Sequence, residues 1–218
     1  MINRDYVVVP LIWAQQHDGA LVSDIVSMKN YDQADIYLMI GATVGQAGAV
    51  TLYQGQSVSS ATTTLGFELY YRTGFMLNYN SPSTDTPAAP GETISGNGGG
   101  AGTIVADLGS KLICYGYNNT TFVDGETITF SGGKTAKADG IQYNEDIMVP
   151  ATATNNTFNA AAVGSKMYCI PIRGSMLIDG YDCIKLSVAD MNTTDIAAFV
   201  VLSKPRYIGE PPQTAIYD

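Results

Sequence analysis

The side chains that most often perform chemistry in proteins are few and scattered in this sequence. The single histidine, His17, lies beside Asp18 in a polar turn. A general base must lie within hydrogen-bond reach of the proton that it removes, and no nucleophilic residue stands near His17. We therefore interpret His17 as a solvated turn residue rather than as a catalyst.

Three cysteines, Cys114, Cys169 and Cys183, are the candidate metal ligands and reactive thiols. Structural zinc is held by ligands that come in close pairs along the chain, and these cysteines are far apart. Each stands in an apolar, strand-like context, where a thiol behaves as a small hydrophobic group. We predict three buried free thiols and no metal site.

A glycine-rich motif and two acidic pairs are the remaining candidate binding sites. Gly132–Thr135 reads GGKT and resembles the end of a phosphate-binding loop, but Ile128 occupies the position of the loop's first glycine and no helix-like pattern follows. Glu145–Asp146, and Asp179 with Asp182, could bind Ca²⁺ or serve a glycosidase. Acidic residues in such turns usually accept local backbone hydrogen bonds. We therefore expect no cofactor and no enzymatic activity.

Aromatic residues are concentrated in one stretch of the chain, and they could stack on sugar rings as in a carbohydrate-binding module. Aromatic residues in neighbouring strands more often form the core and cross-strand pairs, and we favour that interpretation. The cluster consists of Phe67, Tyr70, Tyr71, Phe75 and Tyr79.

Composition predicts an all-β protein that binds neither nucleic acid nor membrane. Only 14% of the 218 residues are charged, and Gly, Tyr, Thr, Ser and Asn are abundant, which suits strands and turns. Twenty acidic against eleven basic residues give a net charge of −9, and the basic residues are dispersed. Such a surface repels phosphate backbones and anionic lipids. No apolar run reaches the ~20 residues of a membrane span, and the N-terminus is a poor signal peptide, so we expect synthesis in a cytosol.

The segment Tyr31–Val58 predicts two paired strands joined by a glycine-rich turn. Ile36, Leu38 and Ile40 alternate with more polar positions before the turn, and a second alternating run follows it. The outward positions nevertheless carry large apolar side chains, at Tyr37, Met39 and Tyr53. A solvated sheet face would carry polar residues there, so we predict that another surface covers them.

Two later strands complete this pattern. Tyr181–Val188 places Ile184, Leu186 and Val188 on one face and Cys183, Lys185 and Ser187 on the other, and Ile196–Leu202 (IAAFVVL) is apolar on both faces. The second pattern is typical of a strand within a sandwich or at a subunit interface.

The middle of the chain predicts an excursion from the main domain. Residues 80–102 are rich in Gly and Pro and carry few large apolar residues, so they cannot form a core. The phrase GETI occurs at Gly91–Ile94 and again at Gly125–Ile128, which is too short to establish a repeat. We predict an antiparallel β-sandwich of jelly-roll type from residues 1–80 and 143–218, with 81–142 forming an entry loop and a small β insert.

Three stretches resemble the small structural proteins of tailed-bacteriophage heads. They are SDIVSMKNYDQADIYLMIGATVGQAGAVTLYQG (Ser23–Gly55), the closing segment Leu177–Asp218 with its hairpin, Arg-Tyr step and Pro-containing tail, and FVDGETITFSGGKTAKADG (Phe122–Gly140), which is similar to β modules of phage tails and fibres.

The resemblance implies a capsid decoration, or cement, protein that binds the outer surface of the head and stabilises it. Its expected partners are the major capsid protein and two further copies of itself in a homotrimer, and its place is the virion surface after synthesis in the host bacterial cytoplasm. Oligomers of a rigid β domain multiply weak contacts into strong binding. The predicted contact residues are Tyr37, Met39, Tyr53, Phe199, Tyr207, Ile208, Pro211, Pro212 and Ile216.

An alternative function is a receptor- or carbohydrate-binding module of a phage fibre or head vertex. In that case the insert would project as a knob, and the aromatic cluster with the glycine-rich loop would carry the binding. An enzyme on the virion is a third class, which the lack of an acid/base constellation disfavours.

Overall fold

The strands of this chain follow from the alternation of apolar and more polar residues. In the computed structural model, Ala34, Ile36, Leu38 and Ile40 are buried, whereas the residues between them face away from the core. The structure describes residues 6–41, 46–84, 88–116, 120, 122–140, 147–160 and 166–206. Within these ranges every regular element is a strand except for one 3₁₀ turn at Gly174–Met176, which confirms the all-β prediction.

Seventeen strands occur in the described ranges. They are β1 (Tyr6–His17), β2 (Leu21–Val22), β3 (Val26–Ser27), β4 (Tyr31–Ile40), β5 (Gly48–Gly55), β6 (Thr63–Thr64), β7 (Leu69–Asn80), β8 (Thr93–Gly96), β9 (Ala101–Asp107), β10 (Lys111–Tyr115), β11 (Thr127–Phe130), β12 (Thr135–Ala138), β13 (Ile147–Thr152), β14 (Thr157–Ala160), β15 (Lys166–Arg173), β16 (Cys183–Val188) and β17 (Thr194–Pro205). The chain divides into two compact units, one of residues 1–71 with 151–218 and one of residues 72–150.

The first unit contains two antiparallel sheets that share one core. One sheet has the order β1-β17-β4-β15, and the other has the order β14-β5-β16-β2, with β3 also on β16 and β6 also on β5. Buried residues of both sheets form a single hydrophobic cluster, to which Ile36, Leu52, Leu186 and Val200 belong. Burial of this apolar surface supplies the main stabilisation of the unit.

One strand pairing predicted from the sequence is wrong. Strands β4 and β5 do not pair with each other: β4 lies between β15 and β17, and β5 pairs with β14, β16 and β6. Both strands place their apolar face on the same core, so alternation alone does not distinguish a hairpin from two strands in opposing sheets. In β16 the predicted inward residues Ile184, Leu186 and Val188 are buried, but Cys183 is buried too rather than outward.

The second unit is a closed ring of six antiparallel strands. Its order is β7-β10-β9-β8-β11-β12, and β12 pairs back onto β7 through Lys137 with Asn80 and Ala138 with Tyr79. A separate core fills it, with members such as Phe75, Leu112 and Phe122. Closure leaves these six strands without a free edge.

The two GETI phrases belong to a structural repeat with a spacing of 34 residues, as between Gly91 and Gly125. The hairpins β8–β9 and β11–β12 carry equivalent hydrogen bonds: Gly91 N donates to Ile104 O at 2.8 Å, and Gly125 N donates to Ala138 O at 2.9 Å. Both glycines have positive φ angles, of 90° and 76°. A left-handed backbone at this turn favours glycine, which explains why it recurs.

The same hydrogen bonds recur around the two glutamates of the phrase. Glu92 accepts a hydrogen bond from Ala89 N, and Glu126 accepts one from Val123 N, in each case from the residue three positions earlier. Strands β8 and β11 pair with each other, so the two hairpins meet along their equivalent strands. Local sequence similarity that was too short to establish a repeat therefore corresponds to a duplicated supersecondary unit.

The second unit begins nine residues before the predicted insert of 81–142 and ends eight residues after it. Residues 72–80 and 147–150 belong to the second unit, because β7 is one continuous strand and its residues Gly74–Asn78 pair with β10. Gly74 is accommodated within β7, where its missing side chain leaves room for Val149.

Candidate interaction surface

Three of the predicted contact residues lie together on the outward side of the first sheet. Tyr37 on β4 is the cross-strand partner of Phe199 on β17, and Met39 is the partner of Ala197. The rings of Tyr37 and Phe199 stack with centroids 5.0 Å apart and planes 14° apart. Met39 is 39% exposed, while Tyr37 and Phe199 are half-buried. The structure thus places three separate sequence predictions in one patch.

The patch extends over four strands. The strand registers align Cys169, Tyr37, Phe199 and Pro10 in one row across the sheet. We call this surface the apolar face, and it consists of Val8, Pro10, Tyr37, Met39, Met167, Cys169, Pro171, Ala197, Phe199 and Val201. The face includes the edge strand β1, where Val8 is 53% exposed. Contiguous apolar patches of a few hundred Å² are often functional on a protein surface.

Strand β1 carries a further large exposed side chain, Trp13. Trp13 is 74% exposed, and the pairing of β1 with β17 is irregular between Pro10 and Gln15. A shallow depression of about 430 Å³ is lined in part by Ala14, Met39 and Ala197. Tryptophan is enriched among the residues that contribute most to binding at protein interfaces.

One carboxylate, Asp35, stands in the row that also contains Pro171, Val201 and Val8. The side-chain amide of Gln33 donates to both of its oxygens, at 3.0 and 3.2 Å. Burial, together with the charge of Asp35, raises the pKa of the Cys169 thiol to about 11, and burial is also the main cause of the raised pKa of Tyr37. Both groups are neutral at physiological pH, and the raised pKa values extend the range over which they stay neutral to higher pH.

Sequence reasoning did not find Val8, Pro10, Met167, Cys169 or Val201. Cross-strand pairing places each of these residues in the patch, next to its partner on a neighbouring strand. The run Ile196–Leu202 was the one local indication, since it is apolar on both faces.

Tyr53 does not belong to the apolar face. It lies on β5 in the second sheet, opposite Lys185, whose Nζ is 5.2 Å from the ring centroid. The two tyrosines looked equivalent in sequence because each follows the alternation of its own strand. Five predicted contact residues lie outside the described residues: Tyr207, Ile208, Pro211, Pro212 and Ile216.

The other candidate chemical groups have local structural roles. His17 Nε2 lies 3.3 Å from the carbonyl oxygen of Ala20, and the GGKT motif is the turn between β11 and β12. Asp182 accepts a hydrogen bond from the thiol of Cys183 at 3.1 Å. Glu145 and Asp146 lie outside the described residues. Across the described part of the chain, no group of three or more His, Cys, Asp or Glu residues is arranged to hold a metal ion.

Most of the aromatic cluster is in the core, as we predicted from the sequence. Phe67, Tyr70, Phe75 and Tyr79 are buried, and Tyr71 is half-buried. Tyr70 stacks on Phe158 with centroids 3.9 Å apart.

All three cysteines are free. Cys114 and Cys183 are buried as predicted, whereas Cys169 is half-buried.

Beside the apolar face lies a groove of about 890 Å³. We call it the side groove, and it is lined wholly by residues of the first unit: Gln33, Asp35, Tyr37, Gly66, Phe67, Glu68, Leu69, Tyr71, Asn156, Cys169, Pro171, Arg173, Ser175 and Met176. It lies on the β15 side of Tyr37, away from β1.

No protein family, no curated protein sequence and no solved structure matches this chain. Within the described ranges, no helix has the length and apolar character needed to span a membrane.

Proposed function

We propose that this protein is a bacteriophage capsid decoration protein, which binds the outer surface of the head and cements it. The observation that carries the proposal is the apolar face, centred on the stacked pair of Tyr37 and Phe199. The resemblance of Ser23–Gly55 and Leu177–Asp218 to phage head proteins supports the same role. The proposed role is structural and non-enzymatic, and it requires no cofactor.

The dimensions of the face favour binding through several copies. Four strands about 4.8 Å apart, over five to seven residues of about 3.3 Å each, cover roughly 300–450 Å². A stable two-body interface buries about 800 Å² on each partner. A single face therefore binds weakly, and three linked copies would convert weak binding into strong binding. We propose a homotrimer on that ground, with the major capsid protein as the other partner.

The architecture suits a cementing role because stiffness resists expansion of the shell. The first unit has two sheets on one core, which we interpret as a sandwich of jelly-roll type, and the second unit is a closed ring. Sheets with extensive backbone hydrogen bonding and close-packed cores deform little under load. The proposed location is the outer surface of the virion, with synthesis in the host bacterial cytoplasm.

The test compares charged substitutions on and off the apolar face. Val8→Lys and Met39→Lys place a charge at exposed positions of the face, and Val22→Lys places the same charge on β2 of the second sheet. Val22 is a matched control because Val8 and Val22 are both 53% exposed. The assay is co-sedimentation with DNA-free heads assembled from the major capsid protein of the same genome, together with light scattering after size-exclusion chromatography.

We expect the wild-type protein and Val22→Lys to bind heads equally and to elute as trimers. We expect Val8→Lys and Met39→Lys to bind at least tenfold more weakly, because a buried unpaired charge is costly. A wild-type protein that stays monomeric at micromolar concentration and does not bind heads would reject the proposal.

A further inference from the structure

The side groove has the volume of a small-molecule site. Its volume is about 890 Å³, which lies within the range of about 300–1,000 Å³ for small-molecule sites. Strands β4 and β15 provide one side, through Tyr37, Asp35 and Cys169, and the segment 66–71 provides residues of the other. The groove shares Tyr37, Cys169 and Pro171 with the apolar face, whereas Val8, Pro10, Met39 and Val201 do not line it.

The lining combines flat apolar groups with planar polar ones. Tyr37, Tyr71 and Leu69 present aromatic and aliphatic surface, and Glu68 and Asn156 present a carboxylate and an amide. A pyranose ring has the same dual character, with C–H groups that pack on aromatic rings and hydroxyls that both donate and accept hydrogen bonds. Carboxylate, amide and guanidinium groups supply acceptors and donors to match those hydroxyls.

Contacts within the protein fix the β4 side of the groove before any ligand binds. Stacking on Phe199 fixes the ring of Tyr37 from the side of β17. Gln33 donates to both oxygens of Asp35, and each carboxylate oxygen can accept further hydrogen bonds. A site with fixed contact groups loses less entropy on binding than a mobile one.

Charge selects among possible sugars. Two carboxylates, Asp35 and Glu68, line the groove against one guanidinium, that of Arg173. The surplus of negative charge disfavours sialic acids, uronic acids and phosphorylated sugars. The functional groups come from side chains rather than from an open strand edge, which disfavours an extended peptide. We propose that the side groove binds a neutral oligosaccharide built from hexoses or N-acetylhexosamines.

The proposal assigns the alternative binding function to the first unit rather than to the insert. The alternative function predicted from the sequence, binding through a projecting insert, relied on the whole aromatic cluster. Phe75 and Tyr79 of that cluster are in the core of the second unit. Of that cluster, Phe67 and Tyr71 line the groove, and Tyr71 is the more exposed of the two.

The test starts with an array of neutral and acidic oligosaccharides probed with the full-length protein. The neutral oligosaccharide with the highest signal is then measured by saturation-transfer difference NMR and by calorimetric titration. Tyr71→Ala and Glu68→Gln alter the groove, and Tyr53→Ala removes an outward tyrosine from the second sheet as a control. Thermal unfolding establishes that each variant is folded.

We expect saturable binding of neutral oligosaccharides, a loss of at least tenfold in affinity for Tyr71→Ala and for Glu68→Gln, and unchanged affinity for Tyr53→Ala. The variants Val8→Lys and Met39→Lys are expected to bind the sugar normally, so failure of this proposal is distinct from failure of head binding. The proposal is overturned if no neutral oligosaccharide binds saturably, if acidic sugars alone bind, or if folded Tyr71→Ala and Glu68→Gln bind like the wild type.

Discussion

Tyr37 and Phe199 stack across neighbouring strands on the side of their sheet that faces away from the core, with ring centroids 5.0 Å apart. A second pair, Tyr70 and Phe158, stacks at 3.9 Å inside the core of the same unit. The same kind of contact therefore occurs in the core, where it stabilises the fold, and on the outward side of the first sheet.

This contrast predicts different consequences of the same truncation. Phe199→Ala removes a half-buried ring, and we expect a loss of about 1–2 kcal/mol in the free energy of unfolding, since an aromatic pair contributes about 0.5–1.5 kcal/mol beyond area burial. Phe158→Ala is expected to cost about 3–5 kcal/mol, because it opens a cavity in the core. Urea denaturation measures both values.

Binding to heads should rank the two variants in the opposite order. Folded Phe199→Ala should bind at least tenfold more weakly than the wild type, whereas the fraction of Phe158→Ala that is folded should bind normally. Equal binding by Phe199→Ala and the wild type would show that the pair is only structural.

Asp107 predicts an acid-sensitive step in the second unit. Burial alone would raise the pKa of Asp107, but hydrogen bonds from Ala88 N, Gly109 N and the Tyr79 hydroxyl, with the charge of Lys134, lower it overall. A carboxyl whose pKa is lower in the folded state stabilises the fold above its unfolded pKa of about 3.9. That stabilisation is lost as the pH falls through the folded-state pKa.

The measurement is the free energy of unfolding from pH 7 to pH 2 for the wild type, Asp107→Asn and Tyr79→Phe. We expect Asp107→Asn to cost about 1–2 kcal/mol at pH 7, since it impairs hydrogen bonds to a charged group, and to flatten the decline below pH 4. Tyr79→Phe removes one hydrogen-bond donor to Asp107, so its free energy of unfolding should lie between those of the wild type and Asp107→Asn. An Asp107→Asn variant with the acid dependence of the wild type would refute this role.

The hairpin repeat predicts paired effects at equivalent glycines. Gly91 and Gly125 have φ angles of 90° and 76°, so Gly91→Ala and Gly125→Ala should each cost about 1 kcal/mol or more, and by similar amounts. Gly91→Asn and Gly125→Asn are the controls, and they should cost less because asparagine tolerates the left-handed region. Urea denaturation of the four variants measures these free energies of unfolding. A large difference between Gly91→Ala and Gly125→Ala would argue against equivalent turns.

The thiols predict slow chemical modification. Burial raises the pKa of Cys114 and of Cys183 to about 12 and that of Cys169 to about 11. At pH 8 the thiolate fraction in the folded protein is therefore very small, and the thiolate is the reactive form. We expect a chromogenic disulfide reagent to modify all three cysteines rapidly in denaturant and none of them rapidly in the native protein.

The raised pKa values of the thiols also determine how the free energy of unfolding depends on pH. The folded-state pKa values exceed the ordinary value of 9.0, so the thiols favour the folded state below pH 9 and this advantage is lost as the pH rises towards 11–12. Rapid modification of a native cysteine at pH 8 would contradict the burial of these groups.

The fold class and the inward residues could be predicted from the sequence because alternation is a local property. Ile36, Leu38 and Ile40 are buried as their spacing requires, and the apolar run at Ile196–Leu202 is a strand with one buried and one half-buried face. Both patterns depend only on neighbours within the same strand.

The pairing of strands and the grouping of residues on one surface could not be predicted, because they depend on distant parts of the chain. Tyr37 and Phe199 are 162 positions apart in sequence yet share a cross-strand pair. Tyr53, which lies much closer to Tyr37 in sequence, is on the other sheet. The apolar face and the side groove both arise from register, which local alternation does not encode.

A cryo-electron microscopy map of heads with the protein bound tests the central claim most directly. We predict density from the capsid or from a neighbouring copy in contact with Tyr37, Phe199 and Val8, at positions where three copies meet. A map in which the protein is bound through other surfaces while the apolar face lies open to solvent would contradict the account.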